Sequence, residues 1–170
     1  MSSRIPKQRR RYNGAVPSSP AAIAADLHAA IDAGLQLFQR IDETRTARPP
    51  APGKWCAREV LGHLVDSACN NHRRFVLGQD RVTAAFDGYD QEVWVTRQRY
   101  ADVPFRDIVA LWCAYNRHLA HVIASAPPDT LAHTARAPGG EGDVTLAFLM
   151  EDYVSHLRHH LDQLRALLAP

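Results

Sequence analysis

Two histidines near the end of the chain have the spacing of a metal-binding pair. His156 and His160 lie four residues apart within residues 153–164, where apolar residues recur at helical spacing. Residues i and i+4 of a helix lie one turn apart on one face, about 6 Å along the axis, so both imidazoles can reach one ion. A buried imidazole must satisfy one donor and one acceptor. The spacing therefore indicates either a metal site or two rings bonded to neighbouring helices. His159 points outward on the same helical wheel.

Apolar periodicity predicts four long helices that would position such a pair. The first begins at the Ser18-Ser19-Pro20 cap and extends to about residue 43. The second opens over residues 54–59, where Glu59 can form a capping box with Cys56, and ends near Gly78. The third begins at Pro104, and the fourth follows residue 143. Because no segment shows strand-like alternation, the predicted fold class is all-α, a four-helix bundle with two long connections. A short extra helix could form over residues 90–99.

Length and charge predict one domain with a basic arm. The chain has 170 residues and a formal net charge of +2, but five positive side chains lie within the first dozen residues. We expect residues 1–18 to form a flexible basic N-terminal arm and residues 19–170 to form the bundle. The rest of the chain is mildly acidic, so nucleic acid is not an expected partner. The sequence contains no run of about 18 apolar residues, which is the length that a membrane-spanning helix needs.

Cysteine usage favours the cytoplasm. Three cysteines without a CxxC spacing argue against both a disulfide framework and a thiolate zinc site. Cys69 and Cys113 fall within helical patterns, and we expect them to be small core residues.

Three separated stretches carry a resemblance to a known family. They are Lys54-Trp55 with Glu59-Val-Leu-Gly-His-Leu-Val-Asp-Ser67, Tyr89-Asp90 with Trp94, and residues 153–164. In this order they resemble the DinB-like metal-binding four-helix bundles, particularly the YfiT-like branch described as metal-dependent hydrolases. The resemblance covers roughly residues 20–168.

The resemblance implies a divalent metal held by His63, His156 and His160. The metal of the family is variously zinc, nickel or iron, and imidazole suits all three. Three histidines leave an open position, as catalytic zinc sites do. On a straight helical wheel, however, His63 lies roughly 150° from the apolar stripe of its helix, whereas His72 lies on that stripe. Periodicity alone would favour His72 as the ligand from this helix, whereas the motif favours His63.

Two carboxylates are candidates for the surroundings of the metal. Asp66 lies one turn after His63, and Asp152 lies one turn before His156. Either could accept a ligand's outer ring N–H or act as general base for water, and either could be an ordinary surface carboxylate. Tyr89 and Trp94 could form a wall of the site or simply anchor their loop.

Three functions remain open from the sequence. The superfamily includes bacillithiol- and mycothiol-dependent S-transferases, which implies a metal-dependent enzyme that uses a low-molecular-weight thiol. A hydrolase that uses metal-bound water and a non-catalytic metal-binding bundle are the alternatives. The substrate would be a small molecule, for which Arg73, Arg97 and Arg99 are candidate anchors. Family members are commonly dimers, and the large apolar residues Phe105, Leu111 and Trp112 predict a homodimer.

Overall fold

Four long helices form the bundle. The computed structural model describes residues 19–39, 41–80, 83–136 and 143–169. The long helices are α1 (Pro20–Phe38), α2 (Ala57–Asp80), α4 (Phe105–Ala124) and α5 (Leu146–Leu168), which carry one continuous apolar core. Helix α1 packs against α4 and α5, and α2 packs against the same two helices. The predicted four-helix bundle is confirmed. The basic arm, residues 1–18, lies outside the described residues and stays a prediction.

Short elements occupy the connections between the long helices. Helix α3 (Gln91–Gln98) confirms the expected extra helix, and its N-cap Asp90 accepts from the backbone N–H of Glu92 and Val93. Single 3-10 turns occur at Glu43–Arg45, Tyr100–Asp102 and Pro128–Ala132. Three strands form a small sheet in the order β1 (Thr83–Ala85), β2 (Thr134–Arg136), β3 (Asp143–Thr145). Strands β1 and β2 are parallel, whereas β2 and β3 are antiparallel. No sequence pattern indicated these strands, because three-residue strands are too short to show alternation.

Local capping explains where the helices begin and end. Ser19 caps α1 with its hydroxyl 3.2 Å from the backbone nitrogen of Ala22, as predicted. The predicted capping contact at α2 also forms, since the Glu59 carboxylate accepts from the backbone N–H of Cys56 at 2.8 Å. Helix α1 ends at Phe38, earlier than residue 43, because Asp42 caps the separate 3-10 turn that follows.

The first half of α2 is buried on every side. Each residue from 60 to 68 is buried, because α4 and α5 pack on two sides while α3 and the 3-10 turn Tyr100–Asp102 cover the remainder. Gly62 permits the closest approach, since a Cβ at that position would lie 2.2 Å from the Tyr100 ring. This burial explains why the apolar stripe was a poor guide to His63.

Helix α1 is the helix in the described part of the chain that is long and apolar enough to cross a membrane. Core helices of soluble proteins pass the same test of length and composition. The helix carries Asp26 and Asp32 on its exposed side and buries the opposite side, including Leu27 and Ile31, in the bundle. The sequence and packing of α1 are therefore those of a bundle core helix.

Candidate metal centre

Three histidines from two helices converge inside the bundle. His63 comes from α2, and His156 and His160 come from successive turns of α5. The Nε2 atom of His156 lies 3.4 Å from that of His63 and 3.1 Å from that of His160. One ligand atom from each ring lies within 4.8 Å of the other two. The structure therefore brings together the three residues that the resemblance implied, and the motif was a better guide than the wheel.

The spacing of these nitrogens fits a bound ion. Ligands about 2.05 Å from a tetrahedral zinc lie about 3.3 Å from one another, close to the observed 3.1 and 3.4 Å. The Nδ1 atom of His160 lies 2.8 Å from Oε1 of Gln163. Because a carbonyl oxygen can only accept, this Nδ1 carries the proton, and the Nε2 lone pair faces the other two rings. The donor set is that of a zinc, nickel or iron site.

Burial keeps the three rings neutral. It lowers the pKa of His63 to about 4, with a further lowering by His160. The pKa of His156 falls to about 3, through burial first and then through the neighbouring His160, His63 and His159. Burial also lowers the pKa of His160, although its hydrogen bond to Gln163 opposes that shift. Neutral rings are competent ligands at pH 7, because a protonated nitrogen cannot bind a metal.

Three neighbouring residues of the centre were missed as functional residues. Gln163 holds His160 as described, and the Ser67 hydroxyl lies 3.5 Å from Nδ1 of His156. The Trp55 indole lies against His63, with ring centroids 5.2 Å apart. Their spacing offered a signal, since Ser67 is one turn after His63 and Gln163 is one turn after His160. The outer partners predicted from the sequence were carboxylates, whereas an amide and a hydroxyl fill these positions.

Asp66 is buried beside the centre. It is only 2% exposed, and its Oδ1 accepts hydrogen bonds from the Tyr100 hydroxyl at 2.7 Å and from the Gln98 amide at 2.5 Å. Burial raises the pKa of this carboxyl, and both hydrogen bonds oppose the rise. Its Oδ2 and the Nδ1 of His63 are both buried and lack a hydrogen-bond partner in the described part of the chain. The predicted bond between them is therefore not made, and a role as base stays a prediction.

Asp152 lies in a different environment. It is exposed, and its charge acts on Arg74 of α2, whose pKa is lowered by burial and raised by Tyr89 and Asp152. The role of Asp152 as a base also stays a prediction.

A chain of polar contacts leads from the centre to Arg74. Ser67, which touches His156, lies 3.4 Å from the Asn71 amide, and the Asn71 carbonyl accepts from Arg74 at 3.3 Å. Arg74 is half-buried, whereas the anchors considered from the sequence, Arg73, Arg97 and Arg99, are exposed. Of these, Arg99 forms an ion pair with Asp102.

The aromatic pair of the 79–103 connection is partly buried. The rings of Tyr89 and Trp94 have centroids 5.0 Å apart, and the charge of Asp66 contributes to raising the pKa of Tyr89 after burial. The role of Tyr89 and Trp94 as a wall of the site stays a prediction.

The sequence also predicted the environments of several residues outside the centre. His159 is exposed, as the wheel predicted, although its ring lies edge-on to that of His160 with centroids 5.1 Å apart. His72 is half-buried and lies 3.2 Å from the Tyr115 hydroxyl, away from the three-histidine centre. The prediction that Cys69 is a core residue was wrong, because it is exposed, and Cys113 is only half-buried.

Comparison with known proteins decides the family. Residues 26–164 match the family model of the DinB superfamily. This chain belongs to the DinB superfamily. Within the superfamily, this chain is 25% identical over 127 residues to a Bacillus mycoides protein named "Putative metal-dependent hydrolase", covering 75% of this chain and 72% of the relative. A Bacillus cereus protein of the same name is 24% identical over 127 residues, with the same coverage.

A solved structure agrees with the fold. YfiT from Bacillus subtilis, described as "a probable metal-dependent hydrolase with an unusual four-helix bundle topology", superposes with a TM-score of 0.81. The match covers 92% of this chain and 90% of YfiT at 20% identity. At 20% identity the structural likeness supports the fold of this DinB superfamily member and nothing more.

Proposed function

We propose that this chain is a metal-dependent hydrolase of a small-molecule substrate, with His63, His156 and His160 as the ligands of a divalent transition metal. The observation that carries the proposal is the convergence of three neutral ring nitrogens at 3.1 and 3.4 Å inside the bundle. The names of the relatives support the same reaction class. When bound, the ion would supply a Lewis acid that lowers the pKa of water and polarises a carbonyl.

The residues around the ligands have complementary roles in this proposal. Gln163 fixes the tautomer and orientation of His160, and Ser67 does the same more weakly for His156. Asp66 has one oxygen occupied by Tyr100 and Gln98, while its buried Oδ2 is without a partner. A raised carboxyl pKa brings a base closer to neutral pH. Asp66 is therefore the better placed of the two proposed bases to accept a proton at Oδ2.

The test compares two adjacent histidines on α5. His160→Ala removes a ligand, whereas His159→Ala removes an exposed ring and serves as the matched control. Purified wild-type protein should contain about one tightly bound equivalent of zinc, nickel or iron, by elemental analysis, and hydrolyse some member of an ester and amide panel. His160→Ala should lose most of the metal and the activity, and His159→Ala should retain both. Equal metal content in the two variants would refute the ligand assignment.

A thiol S-transferase is the second candidate function. The half-buried guanidinium of Arg74 favours it, because it lies at the end of the polar chain from His156 through Ser67 and Asn71. A carboxylate on a thiol of the bacillithiol or mycothiol type could bind this guanidinium while its sulfur approaches the ion. A thiolate is a good ligand for these metals.

Cobalt substitution separates the two reactions. For the transferase, a thiolate-to-cobalt charge-transfer band should saturate with the thiol but not with its thiol-free analogue, and Arg74→Met should raise the thiol concentration required. Hydrolysis of the panel without any spectral response to thiol would favour the hydrolase. A site that binds metal but supports neither reaction would favour the non-catalytic metal-binding bundle.

Association and location belong to the same proposal. We propose a cytoplasmic homodimer, as the cysteine content and the resemblance indicated. The exposed Leu111 on α4 supports a contact there, but Phe105 and Trp112 are buried in the core of the described chain and cannot contribute to it.

A further inference from the structure

A second group of histidines lies between α2 and α4. The His72 ring on α2 and the His118 ring on α4 have centroids 5.1 Å apart. The corresponding distances within the three-histidine centre are 4.5, 4.9 and 5.3 Å. The rings of His72 and His118 are therefore as close to each other as the rings of that centre are. They lie on different helices, and neither residue belongs to the three-histidine centre.

The surroundings of His72 orient its ring. The Tyr115 hydroxyl lies 3.2 Å from the Nδ1 atom of His72. If Nδ1 donates its proton to that hydroxyl, the lone pair of the neutral ring is at Nε2. Burial and the neighbouring His118 both lower the pKa of His72, which favours the neutral form. In that tautomer Tyr115 supplies for His72 the outer hydrogen bond that Gln163 supplies for His160.

We propose that His72 and His118 form a second site that binds a divalent transition metal more weakly than the buried centre. Two imidazoles select copper, nickel or zinc over magnesium or calcium, which prefer oxygen ligands. His118 is exposed and His72 is half-buried, so water can complete the coordination. The site holds one histidine fewer than the buried centre, and it binds at least about tenfold more weakly.

The second site is separate from the first. His72 follows His63 by nine residues on one helix, which is about 13 Å along the axis. No side chain can ligate an ion in both places at that separation. The inference therefore stands independently of the proposed hydrolase activity.

His121 is the alternative partner of His118 and supplies the control. Their centroids are 6.4 Å apart, farther than any pair in the buried centre, and both rings are exposed on α4. His72 is closer to His118 and is held by Tyr115. The pair that binds the ion is His72 with His118, and removal of His121 leaves the site intact.

Titration of metal-free full-length protein with nickel chloride, followed by calorimetry, tests the site. Wild type binds one ion tightly, which we call the tight class of binding, and a second ion more weakly, which we call the weak class. In His160→Ala the tight class is lost and the weak class remains. In His118→Ala and in His72→Ala the tight class remains, while the affinity of the weak class falls at least about tenfold. His121→Ala changes the weak class by less than about twofold. Tyr115→Phe weakens it about tenfold through the lost outer hydrogen bond.

Two results overturn the inference. One is a weak class that is unchanged in His118→Ala, and the other is a wild-type protein that shows the tight class alone at millimolar nickel. Helical circular dichroism of each variant confirms that it is folded, and the exposed His118 makes its substitution the safest for folding. A wild-type protein that shows the weak class but no tight class would count against the proposed hydrolase centre and leave this site standing.

Discussion

Replacement of Gly62 by alanine tests how the Tyr100 ring is held beside the metal centre. A Cβ at residue 62 would lie 2.2 Å from two carbon atoms of that ring, far inside van der Waals contact. The ring is buried, and its hydroxyl donates to Oδ1 of Asp66 at 2.7 Å. Tyr100 cannot move away from α2 without weakening that hydrogen bond.

The cost of the change follows from these contacts. Overpacking a core costs about 1–3 kcal/mol, and losing a hydrogen bond to a charged group costs about 1.5–3 kcal/mol. Alanine gains about 1 kcal/mol over glycine in helix propensity. The free energy of unfolding of Gly62→Ala should therefore fall by about 3 kcal/mol, which lowers Tm by roughly 10 °C for a protein of this size.

Gly78→Ala is the matched control on the same helix. Its Cβ would meet a terminal methyl group of Leu146 at 2.9 Å, which is the far end of a flexible side chain. This methyl group can move, so the propensity gain should roughly cancel the packing cost. Urea denaturation of both variants would measure the difference. A Gly62→Ala protein as stable as Gly78→Ala would refute the reasoning, as would a full penalty that persists when Tyr100 is also replaced by alanine.

Three further predictions follow from the metal centre and the surface. Between about pH 6.5 and pH 4 the unfolded chain binds more protons than the fold, because burial lowers the pKa of His63 to about 4 and that of His156 to about 3. Metal-free protein should lose stability as the pH falls, on the order of 3 kcal/mol from pH 7 to pH 5, and a flat urea profile would contradict this. Gln163→Leu should weaken metal binding about tenfold by competition with a chelator, and Gln36→Leu on the exposed side of α1 should leave it unchanged. Light scattering should give a dimer mass for wild type and a larger monomer fraction for Leu111→Lys; a monomer at all micromolar concentrations would reject the proposed dimer.

Helices α1, α4 and α5 could be predicted because each buries one side only. In α4, for example, Ile108, Trp112, Leu119 and Ile123 are buried, and exposed residues lie between them. The small sheet could not be predicted, since a three-residue strand gives no alternation and its first two strands are about 50 residues apart in sequence. The dimer prediction counted Phe105 and Trp112 as surface for a partner, although both lie on the apolar stripe of α4 that the bundle itself covers.

The metal centre shows a different limit of periodicity. His156 and His160 are on one helix, so their spacing alone brings their rings together. His63 approaches them from α2, whose residues 60–68 are all buried because α3 and the Tyr100 turn cover the side that a bare bundle would leave open. An apolar stripe marks the core only when the opposite side is in water. Where a connection folds back over a helix, it covers the polar residues that lie off the apolar stripe. A polar residue buried in this way needs a partner such as an ion. His63, 2% exposed and 3.4 Å from His156, occupies that position, whereas His72 lies beyond the covered half of α2.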